Sequence, residues 1–205
     1  IREIEYDADK GFFLNGKNMK MKGINLHQDF GSLGTAIPDR VYEYRLEVLK
    51  DFGVNAIRCS HNPPSAEFLD MCDRMGFLVI DEAFDKWKSR FYAEYFDEWW
   101  QADLDAMLLR DRNHPSVVMW SVGNEVSEQS TEEGVEILKM LIDHVKKIDP
   151  TRPVTCAVRP EYGDRVYSEE FSALMDVVSY NYQEPYYEHD RAKYPDRIIL
   201  GGECF

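Results

Sequence analysis

Two acids in this chain stand where a reacting bond would fit between them. Glu125 closes the run Val117-Val118-Met119-Trp120-Ser121-Val122-Gly123-Asn124, and Glu203 follows Ile198-Ile199-Leu200-Gly201-Gly202. If both runs are buried strands, each delivers a carboxyl at its C-terminal end. Cleavage of a glycosidic bond needs such a pair, one carboxyl protonated and one ionised, on either side of the bond. A separation near ~5 Å implies retention through a covalent intermediate, and ~6.5–9.5 Å implies inversion. Plainer readings compete. Glu125 could cap the next helix or pair with a surface arginine, and Glu203 could belong to a fraying end, since only Cys204 and Phe205 follow it. The order strand, Gly, Asn, Glu favours chemistry at Glu125. The two glycines before Glu203 would let a bulky ligand approach the backbone closely.

Other polar residues cluster in the same way, just past short apolar runs. The runs cover 21–24, 55–58, 78–81, 117–121, 154–158, 177–180 and 198–201. They deliver His27 and Asp29, Arg58 and His61, Asp85, Asn124 and Glu125, Tyr182, and Glu203. Several are rich in Val and Ile, as strands buried on both faces are. Helices are predicted between them. Asp39 is expected to cap one whose apolar face holds Val41, Val48, Leu49 and Phe52, stopped by Gly53. Ser130-Thr131-Glu132-Glu133 has capping-box spacing, and the helix after it is expected to end near Lys146-Lys147. Strands alternating with helices imply a parallel sheet, either doubly wound or closed as a (β/α)8 barrel. No Gly-rich phosphate loop follows the first run, and the polar residues gather at strand C-termini, where barrel sites are built. The expected fold is therefore α/β, a (β/α)8 TIM barrel.

Composition narrows the partners. With 38 acidic against 24 basic residues, the formal charge of −14 disfavours nucleic acid and anionic membranes and suits a neutral ligand. No run approaches the ~18–20 apolar residues of a membrane span, and residues 1–5 lack a signal-peptide pattern. The four cysteines form no CxxC pair and read as buried thiols rather than a disulfide framework.

Gly23-Ile24-Asn25-Leu26-His27-Gln28-Asp29, Arg58-Cys59-Ser60-His61-Asn62-Pro63-Pro64, Asp81-Glu82-Ala83, Asn113-His114-Pro115-Ser116 and Gly123-Asn124-Glu125 resemble glycoside hydrolase family 2 over nearly the whole chain. Asp81-Glu82-Ala83-Phe84-Asp85-Lys86-Trp87 points to its bacterial β-galactosidases, with β-glucuronidase as the alternative within the family and a bacterial cytoplasm or periplasm as the setting. The resemblance implies a retaining exo-glycosidase with Glu125 as acid/base and Glu203 as nucleophile. It implies that Asn124 binds the sugar 2-hydroxyl, Arg58 keeps Glu203 ionised and Tyr182 orients it. His27 and His61 would line the sugar subsite, with Asp29 and Asp85 as further hydroxyl contacts. Trp87, Trp99 and Trp100 are candidates for a stacking platform, the last two also for helix packing. His114, His144 and His189 are assigned to structure.

Two departures from the family set further expectations. Residues 1–18 read as the end of a preceding β-sandwich domain, or a linker, leading into a barrel at 19–205 that lacks its eighth strand. The chain is then an excised fragment, weakly active at best, whose parent could be a homo-oligomer. No cofactor is expected: the magnesium site of some large β-galactosidases needs a histidine that Asp85-Lys86-Trp87-Lys88 does not offer. Two rivals remain at this level. One is a metal-dependent hydrolase, faintly suggested by His27-Gln28-Asp29. The other is a non-catalytic sugar-binding module.

Overall fold

All seven apolar runs become parallel strands in the computed structural model, which describes residues 2–159 and 165–205. The chain opens with three short strands, β1 (Ile4–Asp7), β2 (Gly11–Leu14) and β3 (Lys17–Asn18), paired antiparallel. There follow β4 (Gly23–His27), α1 (Asp39–Asp51), β5 (Ala56–Ser60), α2 (Ala66–Met75), β6 (Leu78–Glu82) and α3 (Phe96–Asp111). The second half comprises β7 (Val117–Asn124), α4 (Glu132–Ile148), β8 (Val154–Val158), α5 (Arg165–Ala173), β9 (Val178–Asn181), α6 (Tyr187–Lys193) and β10 (Ile199–Glu203).

Spatial order decides between the two α/β architectures. The sheet runs from β4 to β10 with every strand beside its successor. A doubly wound sheet reverses direction at a switch point, whereas a barrel does not. β4 and β10 are not paired to each other in this sheet. They flank a cavity of about 1170 Å³ lined by Ile24, Asn25, Ile199 and Leu200 among others. Across that seam the Asn25 amide donates to the Gly202 carbonyl at 2.9 Å.

Side chains alternate along each strand, and the alternation sorts them. Ile57, Cys59, Val79, Cys156, Val178 and Tyr180 join the main core beneath the helices with Leu46, Phe68, Phe96 and Leu138. The intervening residues, Arg58, Ser60, Ile80, Glu82, Ser179 and Asn181, therefore face the barrel interior. Two strands break this rule. Between Ser121 and Asn124, β7 holds one residue more than β8, and between Gly201 and Glu203, β10 holds one more than β9. Trp120 and Val122 pack under the helices, as does Ile199. Unbroken alternation would have put Asn124 and Glu203 on that same helix-facing side. The extra residues turn both inward, the usual work of a bulge beside a functional site.

Local details differ from expectation for identifiable reasons. Pro38 is the N-cap of α1, and Asp39 is its first residue, where its charge still complements the helix dipole. The buried face of α1 is Tyr42 and Leu46, four apart, while Phe52 falls at the C-cap and is 82% exposed. Thr131, not Ser130, caps α4 by accepting from the Gly134 amide, and that helix runs to Ile148. Trp87 is fully buried, its indole donating to the Val122 carbonyl at 2.7 Å, so it offers no stacking surface. Trp100 packs against His144, and Trp99 is exposed. Cys59, Cys72 and Cys156 are buried free thiols, and Cys204 is exposed.

Residues 4–18 do more than lead into the barrel. Phe12 packs with Ala56, Leu78 and Val118, and Ile4, Tyr6 and Leu14 lie against the same cluster. Ala56 and Leu78 are the first residues of their strands. The small sheet therefore covers the N-terminal end of the barrel, opposite the polar strand ends. No helix among the described residues is long and apolar enough to cross a membrane.

Candidate active site

Arg58 lies at the centre of the polar strand ends. It is buried, and its guanidinium donates to four residues. Nε and Nη2 form a fork onto Glu82 at 2.9 and 3.0 Å, and Nη2 also reaches Asn124 Oδ1 at 2.9 Å. Nη1 donates to Glu203 Oε1 at 2.9 Å and to Asn25 Oδ1 at 3.1 Å. His61 Nδ1 lies 2.7 Å from Glu82 Oε1, with its Nε2 3.7 Å from Glu203 Oε1. One cation on β5 thus ties together four other strands, β4, β6, β7 and β10.

Glu203 is held on both oxygens. Arg58 takes Oε1, and the Tyr182 hydroxyl donates to Oε2 at 2.5 Å. Burial pushes the Glu203 carboxyl up, but the bonds from Tyr182 and Arg58 outweigh it and hold the group below the usual glutamate value. The same contact pushes the Tyr182 phenol up to about 12, so it remains a donor at neutral pH. Replacing Tyr182 by Phe removes one of these bonds and leaves the burial. With Glu203 as the nucleophile proposed below, the acid limb of kcat/KM should move to higher pH in the variant, as a pH–rate profile would read.

Glu125 is gripped differently. Its Oε1 accepts from the Asn181 amide at 3.2 Å, and Arg159 Nε stands 4.0 Å away. Its amide donates to the Ala157 carbonyl at 2.8 Å. Glu125 and Tyr182 both adopt positive φ, 44° and 53°, in a left-handed region that non-glycine residues seldom occupy. Asn124 connects the two acids. Its Oδ1 accepts from Arg58 and from Asn181 Nδ2 (2.9 Å each), and its own amide donates to Asp85 Oδ1 at 3.1 Å. The Lys86 ammonium lies between Asp85 Oδ1 (2.6 Å) and the Asn124 carbonyl (2.7 Å). Burial raises the Asp85 carboxyl, yet the Lys86 and Asn124 bonds leave it lowered overall.

The structure thus brings Arg58, His61, Asp85, Asn124, Glu125, Tyr182 and Glu203 into one network. His27 joins through its ring, edge-on to His61 with centroids 5.2 Å apart. Asp29 is exposed and tied down through its carbonyl, which accepts from Arg45 at 2.6 Å, so its carboxylate stands outside the network. Sequence reasoning missed Asn25, Glu82 and Asn181. A two-residue step inward from His27 would have found Asn25, whereas Glu82 and Asn181 lie one residue past the runs 78–81 and 177–180, where only the pairing of neighbouring strands fixes the face.

Gly202 is a second requirement of the site. A Cβ there would stand 2.3 Å from Ser179 Oγ and 2.6 Å from Asn181 Oδ1. Gly202→Ala should therefore displace the Ser179 and Asn181 side chains and with Asn181 its bonds to Asn124 and Glu125, which for the reaction proposed below should cost roughly 10²-fold in kcat, the scale of a ~1 Å misplacement. Circular dichroism should show the fold retained.

One trio of possible metal ligands occurs among the described residues, Asp70, Asp73 and His114. It lies before β7, at the end of the barrel away from the network. Asp73 is already engaged, with His114 Nδ1 at 2.7 Å and the Ser116 amide at 2.8 Å, which accounts for the turn as structure. His144 and His189 sit on helices and pair with Asp105 and Asp190, also in structural roles.

A barrel whose strands run in sequence gathers these acids and amides at its C-terminal face, the place where barrel enzymes build their sites. Residues 7–197 match the family described as glycosyl hydrolases family 2, TIM barrel domain, and the chain belongs to that family. It is 44% identical, over 98% of its length, to β-galactosidase BoGH2A of Bacteroides ovatus, of which it covers 27%. To β-glucuronidase of Homo sapiens it is 34% identical over 87% of its length, again covering 27%. A solved glycosyl hydrolase family 2 member from Bacteroides cellulosilyticus DSM 14838 superposes with a TM-score of 0.93 at 49% identity, over 100% of this chain and 27% of that one. The chain therefore spans about a quarter of the length of these relatives.

Proposed function

We propose that this domain holds the catalytic centre of a retaining exo-β-glycosidase that removes terminal β-linked galactose. The observation that carries this reading is the unequal treatment of the two acids. Glu203 is clamped at 2.9 Å by a guanidinium and by a phenol that favour its anion, while Glu125 has one amide donor at 3.2 Å and the Arg159 Nε 4.0 Å away. An ionised carboxylate is the nucleophile of a retaining mechanism, and its partner donates and then recovers a proton.

In the first step Glu203 forms a bond to the anomeric carbon. The bond to the aglycone oxygen breaks, and that oxygen takes the Glu125 proton. In the second step Glu125 takes a proton from water, whose oxygen attacks the same carbon and releases Glu203. In this reading Asn124 binds the sugar 2-hydroxyl, a contact that strengthens as positive charge develops on the ring. His27, His61 and Asp85 present further polar groups to the sugar. The identity to BoGH2A supports galactose. The acidic balance of the chain also suits a neutral sugar over a uronate.

The test is a panel of 4-nitrophenyl β-galactoside, β-glucuronide and β-glucoside turned over by the complete polypeptide, with proton NMR of the first sugar released. The galactoside should be fastest and the β-anomer should appear first. Preference for the glucuronide would replace the sugar assignment, and an α-anomer would remove retention.

A further inference from the structure

Glu82 is fully buried at the end of β6 and has no exposed edge for a ligand. Its neighbour Asp81 faces the helices instead, where burial and Asp111 push its carboxyl well up, so the two acids have separate environments. Glu82 uses both oxygens twice. Oε1 contacts Arg58 Nη2 and His61 Nδ1, and Oε2 accepts from Arg58 Nε and from the Ser121 hydroxyl at 2.6 Å. A carboxylate offers about four acceptor positions, so none is left over.

We propose that Glu82 is the positioning residue of the nucleophile's side of the site, fixing Arg58 and His61 so that both address Glu203. This inference rests on the glycosidase reading above. A guanidinium is planar, and a fork onto a carboxylate sets the orientation of that plane. Here the fork is spent on Glu82, which is immobile, rather than on Glu203. With Nε and Nη2 committed, Nη1 is the group left for Glu203, while Nη2 can still hold Asn124 Oδ1. Without Glu82, Arg58 would be free to turn its fork onto Glu203 and leave Asn124. The same carboxylate anchors Nδ1 of His61 and so directs Nε2 towards Glu203. Ser121 fixes Oε2 from the neighbouring strand. Glu82 thus touches no substrate; it acts through Arg58 and His61.

The experiment uses the complete polypeptide and 2,4-dinitrophenyl 2-deoxy-2-fluoro-β-galactoside. Its leaving group departs as the phenolate without a proton, so labelling reports the attack of Glu203 alone. The first-order rate constant at saturation is independent of how much enzyme is folded, which separates positioning from stability. Glu82→Gln keeps the shape but turns an N–H donor towards Arg58 or His61. Labelling should slow by about 100-fold, with the KM for the nitrophenyl galactoside changing far less than kcat. Ser121→Ala removes one bond to Glu82 only and should slow labelling by about 10-fold; it decides the matter if the glutamine variant does not fold. Rates within threefold of wild type in the folded variants would overturn the positioning role while leaving the glycosidase reading intact. A wild type that is neither labelled nor active on galactosides would overturn that reading and this role with it.

Discussion

Glu203→Gln is expected to abolish turnover of an aryl β-galactoside, lowering kcat by roughly 10⁴- to 10⁶-fold, the scale seen when a covalent nucleophile is removed. The substitution keeps the volume and one carbonyl oxygen. It loses the anion that Arg58 and Tyr182 are arranged to hold. The Tyr182 hydroxyl and Arg58 Nη1 are both donors, and a glutamine amide can accept from only one of them without conflict. Mass spectrometry after exposure to the 2-fluoro sugar should find the label on wild type and none on the variant. Turnover reduced by less than about tenfold would show that the nucleophile is another residue.

Glu125→Gln should divide substrates by their leaving groups. A general acid contributes ~10²- to 10⁴-fold where the departing oxygen needs a proton. An alkyl or unactivated aryl galactoside should therefore lose most of its turnover. A dinitrophenyl galactoside should form the covalent intermediate at nearly the wild-type rate and then stall, because no base activates the water. Added azide needs no base and should restore its turnover, giving the β-galactosyl azide. Equal losses on both substrates, unrelieved by azide, would place the acid/base elsewhere.

Much of this architecture is legible along the chain. Short Val- and Ile-rich runs bounded by glycine, and amphipathic stretches between them, specify strands and helices because those signals lie within a few residues of one another. The acids and amides past each run are equally local. The missed features were not. Trp87 has the composition of a binding aromatic, yet its place is set by Val122 and by Phe96 and Phe171 on two helices. Phe52 completes a helical stripe on paper, yet the register of α1 is set by Tyr42 and Leu46.

The two opening acids mark the boundary. Sequence alone determined that Glu125, Tyr182 and Glu203 stand at strand ends and that those strands are parallel; it placed Arg58 at the end of a strand that in fact runs on to Ser60. It did not determine which way Asn124 and Glu203 point. Strict alternation would bury them under the helices, and one extra residue in each of β7 and β10 reverses that. A bulge is a relation between neighbouring strands, so no single strand encodes it. The same holds for Arg58, whose partners Glu82 and Glu203 lie 24 and 145 residues away. Contacts at such separations come into being only when the barrel rolls up, and they decide which buried acid holds the cation and which one it serves.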